Sequence, residues 1–397
     1  MSRILFLSRW FPYPTDNGSK LRVYNLLRGL AAQHEVTLLS FADERTAQVD
    51  APQIKSLCRQ VRVVPWKPFD AKSLRSRLAF FSPNPRSVVD TFSPEMRRLV
   101  RQVLSTDHYD GVIASQSPAA AYAPLFHGLP AVFEEAEVGV LYEQFAKASS
   151  IRNRLRYGLT WAKQQHYLAG VLPYFRTCTV VSEKERHLIQ SHVSDREPIE
   201  VIPNGVHLSE YIDVCKQPRP NTLIFNGSFR YFANHDAMVW FLKDIYPEIM
   251  RHVPNVHLTI TGETANLPLP PADNVILTGQ VDDVRPLIAS AWTSLAPIRQ
   301  GGGTRLKILE AMALRTPVVA TSKGAEGLDA RDDEHLLIAD TPQAFAGAVI
   351  RLFNEPGLAQ RLADKAFQLV REKYDWAVVM PRFQSLVDQV IWGSKAG

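Results

Sequence analysis

The chain reads as short apolar runs separated by helical patterns, and this alternation occurs in two series. Residues 4–7, Ile-Leu-Phe-Leu, form a continuous apolar run, the signature of a strand buried on both faces. Turn formers follow at Pro12, Pro14, Asp16, Asn17 and Gly18. Val23, Leu26, Leu27 and Leu30 then recur at helical spacing, which predicts a helix over 20–32 capped by Ser19. Strands are predicted at 36–39, 61–64, 111–114, 131–133, 179–181 and 199–202, with helices near 95–104 and over 141–168. Residues 207–220, ending in Pro218 and Pro220, read as a linker. The second series has strands at 222–225, 256–260, 275–277, 294–296, 318–320 and 336–338. Its helices are predicted at 237–250, 284–289, 304–314, 342–353 and 358–373, and a last pattern over 376–390 suits packing across the domain junction. Alternation of this kind predicts an α/β protein of two doubly wound, Rossmann-like domains, 1–213 and 214–397. Ligands of such sheets bind at the carboxyl ends of the strands, so two facing domains are expected to form an interdomain cleft.

One stretch departs from ordinary helix design: Arg299-Gln-Gly-Gly-Gly-Thr-Arg-Leu-Lys-Ile-Leu-Glu-Ala-Met-Ala313. Gly301, Gly302 and Gly303 let the backbone turn tightly and approach a ligand, and Thr304 is a good helix cap. A helix start is electropositive and favours acids, yet this one carries Arg305 and Lys307, with Arg299 just upstream. Glycines, free N–H groups and misplaced cations around one helix start suit a phosphate or diphosphate. Glu310 follows one to two turns later, placed to accept hydrogen bonds from a ribose diol. The alternative is an exposed helix with a Lys307–Glu310 pair, which leaves the glycines unexplained. Lys20 and Arg22 repeat the pattern behind Gly18 and Ser19. They read either as a second anion contact or as exposed cations on a tolerant helix.

Composition narrows the partners. The 397 residues, 46% hydrophobic and 21% charged, are ordinary for a globular protein with substantial cores. The formal charge of +5 resides entirely in residues 1–213, with 26 Lys+Arg against 21 Asp+Glu. Cys58, Cys178 and Cys215 are widely spaced, with neither metal spacing nor a disulfide framework, so a cytoplasmic location is expected. The opening apolar run is too short for a signal peptide, and no stretch approaches the length of a membrane span.

The segments carry a family resemblance. Pro12-Tyr-Pro-Thr-Asp-Asn-Gly-Ser-Lys-Leu-Arg22, Val181-Ser-Glu183, Ile202-Pro-Asn-Gly-Val206, Asn226-Gly-Ser-Phe229 with Asn234, Gly302-Gly-Thr-Arg-Leu-Lys-Ile-Leu-Glu-Ala-Met-Ala313, and Thr316-Pro-Val-Val319 followed by Gly324-Ala-Glu-Gly327 are the residues concerned. Together they resemble the retaining GT-B glycosyltransferases of family 4, most closely the bacterial sugar transferases of exopolysaccharide biosynthesis. The resemblance covers nearly the whole chain. It implies transfer of a hexose from a nucleotide sugar, UDP- or GDP-linked, to a saccharide or lipid-linked acceptor. Retention, no resident cofactor and usually no metal are also implied. The donor-binding residues would be Gly18, Gly227, Arg230, Arg299, Gly302, Gly303, Thr304, Arg305, Lys307 and Glu310.

Three positions depart from the family. Gly302 stands where many relatives carry the first of two acids, and Ser228 where they carry an arginine, so phosphate binding is expected from Arg299, Arg305 and Lys307, with Arg230 nearby. Ala136 stands where a histidine is common, leaving Glu134, Glu135 and Glu137 either as candidates to orient or deprotonate the acceptor or as a solvated acidic loop. No Asp-x-Asp pair occurs, which argues against a metal held by that motif. With retention, the leaving phosphate itself can take the acceptor proton.

The basic excess suggests where the acceptor is met. Residues 59–101 hold ten Lys+Arg against three Asp+Glu, and Lys147, Arg152, Arg154, Arg156, Lys163 and Arg176 lie between Glu143 and Glu183 without an acid. Leu74, Leu78, Phe80, Phe81, Leu155, Tyr157, Leu159 and Trp161 interleave with them. A basic, partly apolar surface suits peripheral contact with the inner face of an anionic membrane. Solvated helix faces are the alternative, and nucleic acid is not expected because no recognition motif accompanies the charge. A nucleotide-sugar 2-epimerase-like enzyme or a non-catalytic nucleotide-sugar binder also remains open. An NAD oxidoreductase is disfavoured, since no Gly-x-Gly-x-x-Gly follows residues 4–7.

Overall fold

The computed structural model describes all residues except 44–45, 192–197, 304 and 394–397. Its chain forms two compact units, Met1–Ile202 with Met380–Gly397, and Pro203–Val379. The first is built on seven parallel strands: β1 (Arg3–Ser8), β2 (Glu35–Ala42), β3 (Gln60–Pro65), β4 (Gly111–Ser115), β5 (Ala131–Glu134), β6 (Thr177–Val180) and β7 (Ile199–Val201). Their order is β3-β2-β1-β4-β5-β6-β7. Leu5 of β1 lies between Thr37 of β2 and Val112 of β4, so the order reverses at β1 and β4. Beyond Arg3, β1 is buried throughout, as are β4 and β5. Central parallel strands covered on both faces show no polar alternation, which is why the apolar runs locate them.

The second unit has six parallel strands: β8 (Thr222–Asn226), β9 (His257–Thr261), β10 (Val275–Gly279), β11 (Thr293–Ala296), β12 (Val318–Ala320) and β13 (Leu337–Ile338). Their order is β10-β9-β8-β11-β12-β13, with the reversal between β8 and β11. Each unit is thus a doubly wound α/β layer structure with its ligand crevice expected beyond the carboxyl ends at the reversal.

Several boundaries differ from expectation. The division falls after Ile202 rather than at 213, because the segment beyond it joins the second core. Val206 exchanges backbone hydrogen bonds with Tyr374 and Trp376, and Val206 and Leu208 pack with Ile308, Leu309 and Met312. The second unit ends at Val379, and residues from Met380 onward, within the pattern expected to pack across the junction, belong to the first unit. There the Gln384 amide donates to Gly29 O (2.7 Å) and the Arg176 guanidinium donates to Val390 O (3.1 Å). The single helix expected over 141–168 is two, Gly139–Ala146 and Ile151–Val171. Ser150 ends its continuity by capping the second through Asn153 N–H. The basic segment has helical turns that periodicity misses, Leu74–Leu78 and Arg86–Thr91. The helix expected at 237–250 is interrupted by a π turn over Phe241–Ile245.

Candidate functional site

The second unit gathers its polar groups where β8 and β11 end. Phe225 closes the core, Asn226 is the last residue of β8, and Gly227 follows with φ of 157°. A Cβ on Gly227 would lie 2.8 Å from both Asn234 Nδ2 and Lys307 Nζ, so the glycine makes room for a lysine head. That head comes from the helix Leu306–Ala313, which lies beyond β11. Lys307 Nζ donates to Asn234 Oδ1 (2.9 Å) and stands 3.8 Å from the centroid of the Phe225 ring. Asn226 Nδ2 donates to Glu310 Oε2 (2.9 Å), and the Tyr211 hydroxyl hydrogen-bonds the same carboxyl.

The two charges are held in a poorly solvated place. Burial, seconded by the Arg305 charge, lowers Lys307 to about 7. Burial raises Glu310 to about 7 against the pull of Asn226, Lys307 and Tyr211. An amine and a carboxyl one helical turn apart therefore both change charge close to neutrality.

The glycine loop is braced from behind. Arg305 is buried and donates to Gly301 O (2.9 Å) and Gly302 O (2.8 Å). Gly301 has φ of 94°, and a Cβ there would strike the Tyr231 hydroxyl. Gly303 is exposed with φ of 81°. The expected cap Thr304 lies outside the described residues. The helix itself starts at Leu306, with Arg305 in the capping position and making no side-chain cap. Arg305 is therefore a buried positive charge that shapes the loop, rather than a first-turn cation reaching outward.

Two expected phosphate ligands are otherwise engaged. Arg299 forms a two-point ion pair with Asp236 (2.8 and 3.2 Å) and lies over the Trp240 ring. Arg230 pairs with Glu263 (2.5 Å) on an exposed edge. Sequence reasoning gave no role to Asn226 or Asn234, although both stand in its motif residues. Tyr211 lay in the presumed linker, where no sequence signal marks it.

The first unit corrects another pair of expectations together. Asn17, rather than Ser19, caps the helix Gly18–Ala31, accepting from Lys20 N–H at 3.0 Å. Lys20 is paired with Asp16 (2.9 Å). Arg22, expected as an anion contact, is buried and pairs with Glu134 across 2.6 Å, while Ser115 Oγ donates to the other Glu134 oxygen at 2.6 Å. The cations that oppose this helix start are compensated by acids, Lys20 by Asp16 in the preceding turn and Arg22 by Glu134 at the end of β5, so the Glu134 carboxylate is engaged in a buried ion pair. Glu137 is exposed.

Glu135 remains. It follows β5 with φ of 56°, and Gln116 follows the neighbouring β4 with φ of 68°. Non-glycine residues in this region are strained, and such strain gathers at functional sites. The Gln116 amide donates to Glu135 Oε2 (2.8 Å), and Glu135 N–H donates to Thr179 Oγ1 (3.2 Å). Burial first, then the Glu134 charge, raises the Glu135 carboxyl to about 8, with Arg22 pulling the other way. Nearby, Glu185 accepts from Val138 N–H (2.8 Å) and Gly139 N–H (3.0 Å), satisfying the start of the helix Gly139–Ala146.

These environments predict opposite responses to amide substitution. Unfolded Glu135 ionises near 4.5 and the folded group near 8, so between those values the native state keeps a proton that the unfolded chain has released. Its contribution to stability is complete below about 4.5 and is lost as pH rises through about 8. Glu135→Gln is expected to flatten the fall in stability between pH 5 and pH 8, read by urea unfolding; equal slopes in both proteins would show that Glu135 is not held protonated. Glu134→Gln, which deprives Arg22 of its carboxylate, is expected to cost about 3–5 kcal/mol at pH 7.

Comparison with known proteins matches both halves. Residues 17–210 fit the family model described as Glycosyltransferase Family 4, and residues 220–355 fit Glycosyl transferases group 1. An uncharacterized 44.6 kDa protein in the cps region of Klebsiella pneumoniae is 21% identical over 94% of this chain and 97% of its own. A phosphatidyl-myo-inositol mannosyltransferase of Mycobacterium leprae is 32% identical over 48% of this chain and 53% of its own. The structure of a sucrose-phosphate synthase from Thermosynechococcus elongatus superposes with a TM-score of 0.71 at 17% identity, covering 99% of this chain and 100% of that one. With two Rossmann-like sheets and a glycosyltransferase match in each half, the chain belongs to the group 1 and family 4 glycosyltransferases of the GT-B fold.

Proposed function

We propose that the chain transfers a hexose from a nucleoside-diphosphate sugar to a saccharide or lipid-linked acceptor, with retention of configuration and without a divalent metal. The observation that carries the donor assignment is the Lys307 and Glu310 pair held around Asn226 and Gly227. Glu310 would accept from the ribose hydroxyls, while Lys307, the Arg305 charge and the loop N–H groups offset charge growing on the leaving diphosphate. Lys307 and the Arg305 charge would take the part that a divalent metal plays at a diphosphate. On the retained face, the departing phosphate oxygen takes the acceptor proton as the acceptor oxygen joins the sugar carbon. Glu135, holding its own proton, would orient the acceptor. UDP and GDP are the donor nucleotides expected from the family resemblance, and exopolysaccharide assembly is the setting suggested by the Klebsiella relative.

Four measurements bear on this reading. Glu310→Gln and Lys307→Gln are each expected to weaken UDP or GDP binding by roughly tenfold or more, as loss of a charge-assisted hydrogen bond does. Nucleotide affinity should peak near neutral pH, falling in acid as Glu310 takes up a proton and in alkali as Lys307 loses one; Glu310→Gln should lack the acid limb. Transfer should persist in EDTA, and loss reversed by magnesium or manganese would overturn metal independence. A product that is the free epimerised sugar, rather than a glycoside, would support the 2-epimerase alternative.

We also assign the acceptor encounter to an anionic membrane surface. The helical turn Leu74–Leu78, residues 79–81 and the start of the helix Ile151–Val171 expose Leu74, Leu78, Phe80, Phe81, Ile151, Leu155 and Leu159. Phe81 and Ile151 are more than four-fifths exposed, at 86% and 81%. Lys163 ties the two segments together, donating to Ala79 O (3.3 Å) and Phe80 O (2.5 Å). Arg75, Arg77, Arg152, Arg154 and Arg156 are exposed on the same elements. Trp161, expected among the surface residues, is instead buried in the core against Tyr142. No helix among the described residues is long and apolar enough to cross a membrane, so this patch would act from the surface. Vesicles rich in anionic lipid are expected to sediment the protein, less so at high salt. Neutralising the five arginines together, or changing Phe81 and Ile151 to Ser, should release it; pelleting that ignores both changes would exclude the patch.

A further inference from the structure

A different cation of the first unit has no acid beside it among the described residues. Arg9 immediately follows β1, at the strand-order reversal and on the carboxyl edge of the sheet. Its guanidinium carbon lies 3.2 Å from the centroid of the Trp66 ring and 4.1 Å from that of Trp10. The segments that carry both indoles are tied to the sheet: the Trp66 backbone N–H donates to Ala42 O at the end of β2 (2.8 Å), the Trp10 backbone N–H donates to Ser8 Oγ (3.1 Å), and Phe41 packs edge-on against the Trp66 ring at 5.2 Å. Stacking occupies the faces of the guanidinium but leaves its in-plane N–H fork available. Among the described residues, Arg9 makes no ion pair and donates no hydrogen bond. Lys20, Arg22 and Lys67 of the same unit each have a carboxylate, from Asp16, Glu134 and Asp90.

A half-buried guanidinium stacked between two aromatic faces, with no acid partner among the described residues, is expensive for a purely structural stack. A neutral side chain would fill the same space without desolvating a charge. Burial alone lowers its affinity for its proton, to about 9, with no carboxylate opposing the effect. The planar fork matches the geometry of a phosphoryl oxyanion, which it would bind with two parallel hydrogen bonds. On the proposed donor reading, Lys307 and the glycine loop of the second unit hold the donor diphosphate, which leaves Arg9 for a second phosphoryl group.

We propose that Arg9, clamped by Trp10 and Trp66, is the binding contact for a phosphoryl group on the acceptor, as in a sugar linked through phosphate or diphosphate to a carrier. The assignment rests on the glycosyl-transfer reading for the meaning of "acceptor", but its test is a binding measurement that does not depend on turnover.

The probes are inorganic pyrophosphate and UDP, titrated into the full chain by calorimetry and by tryptophan fluorescence. In a Lys307→Gln background, which weakens the donor site, pyrophosphate should still bind and should perturb the emission of the stacked indoles. Adding Arg9→Gln should weaken pyrophosphate about tenfold or more and abolish that perturbation, while Arg9→Gln alone should leave UDP affinity unchanged. Pyrophosphate binding indifferent to Arg9→Gln would overturn the proposal in favour of a structural stack. A parallel loss of UDP affinity would overturn the acceptor assignment and give Arg9 to the donor. Arg9→Lys, which keeps a cation between the indoles, guards against misfolding: it should match the wild-type thermal midpoint yet bind pyrophosphate more weakly, and undiminished affinity would likewise refute a role for the fork. Failure of sugar transfer with these binding results intact would count against the catalytic reading and leave the phosphoryl site standing.

Discussion

A parallel strand covered on both faces has nowhere to place polar chemistry except at its ends, and both sheets obey that constraint. In the second unit the last residues of β8 and the loop after β11 carry the polar groups of the site, because Leu223, Ile224, Phe225 and Leu295 behind them are core. In the first, Arg9, Gln116 and Glu135 immediately follow β1, β4 and β5. The hydrophobic interior therefore does more than stabilise these layers. It concentrates amines and carboxyls along one edge, where solvation is poor enough to move their proton affinities toward neutrality.

The same shortage of water separates structural charges from available ones. Arg22 and Glu134 are both wholly buried, and each supplies what the other lost on leaving solvent. Arg299 is answered by Asp236 and Arg230 by Glu263. Lys307 is different, because its nearest polar partner is the neutral Asn234 amide. A cation answered by a carboxylate is part of the framework; one resting on an amide or an aromatic face keeps charge available for a ligand.

Element type was legible in the chain because central parallel strands are uninterrupted apolar runs, and the glycine loop leading to Glu310 was legible because it breaks helix rules visibly. What was not legible is pairing over long sequence distance. A basic helix start looks the same whether it faces a ligand or a buried acid, and Glu134 lies 112 residues from Arg22. Tyr211 could not be placed beside Glu310 from a segment that reads as linker. Left-handed backbone at Gln116 and Glu135 was equally hidden, since neither residue type announces it. Periodicity also hid the exposed side of residues 74–81, where leucines and phenylalanines resemble core until the turn that displays them is known.

The passage of the helix Trp376–Trp392 from one unit to the other carries a consequence for biogenesis. The second unit is continuous in sequence, whereas the first is completed by Phe383, Val387 and Ile391 from the far end of the chain. At roughly 5–20 residues per second, a ribosome leaves the first sheet without its final helix for on the order of ten seconds or more. The apolar side chains that await that helix include Val112 and Val132, beside which Val387 and Ile391 come to lie. The nascent first unit thus remains without that helix through synthesis of the entire second unit, and emergence of the helix, rather than of its own strands, sets the moment at which its core is completed.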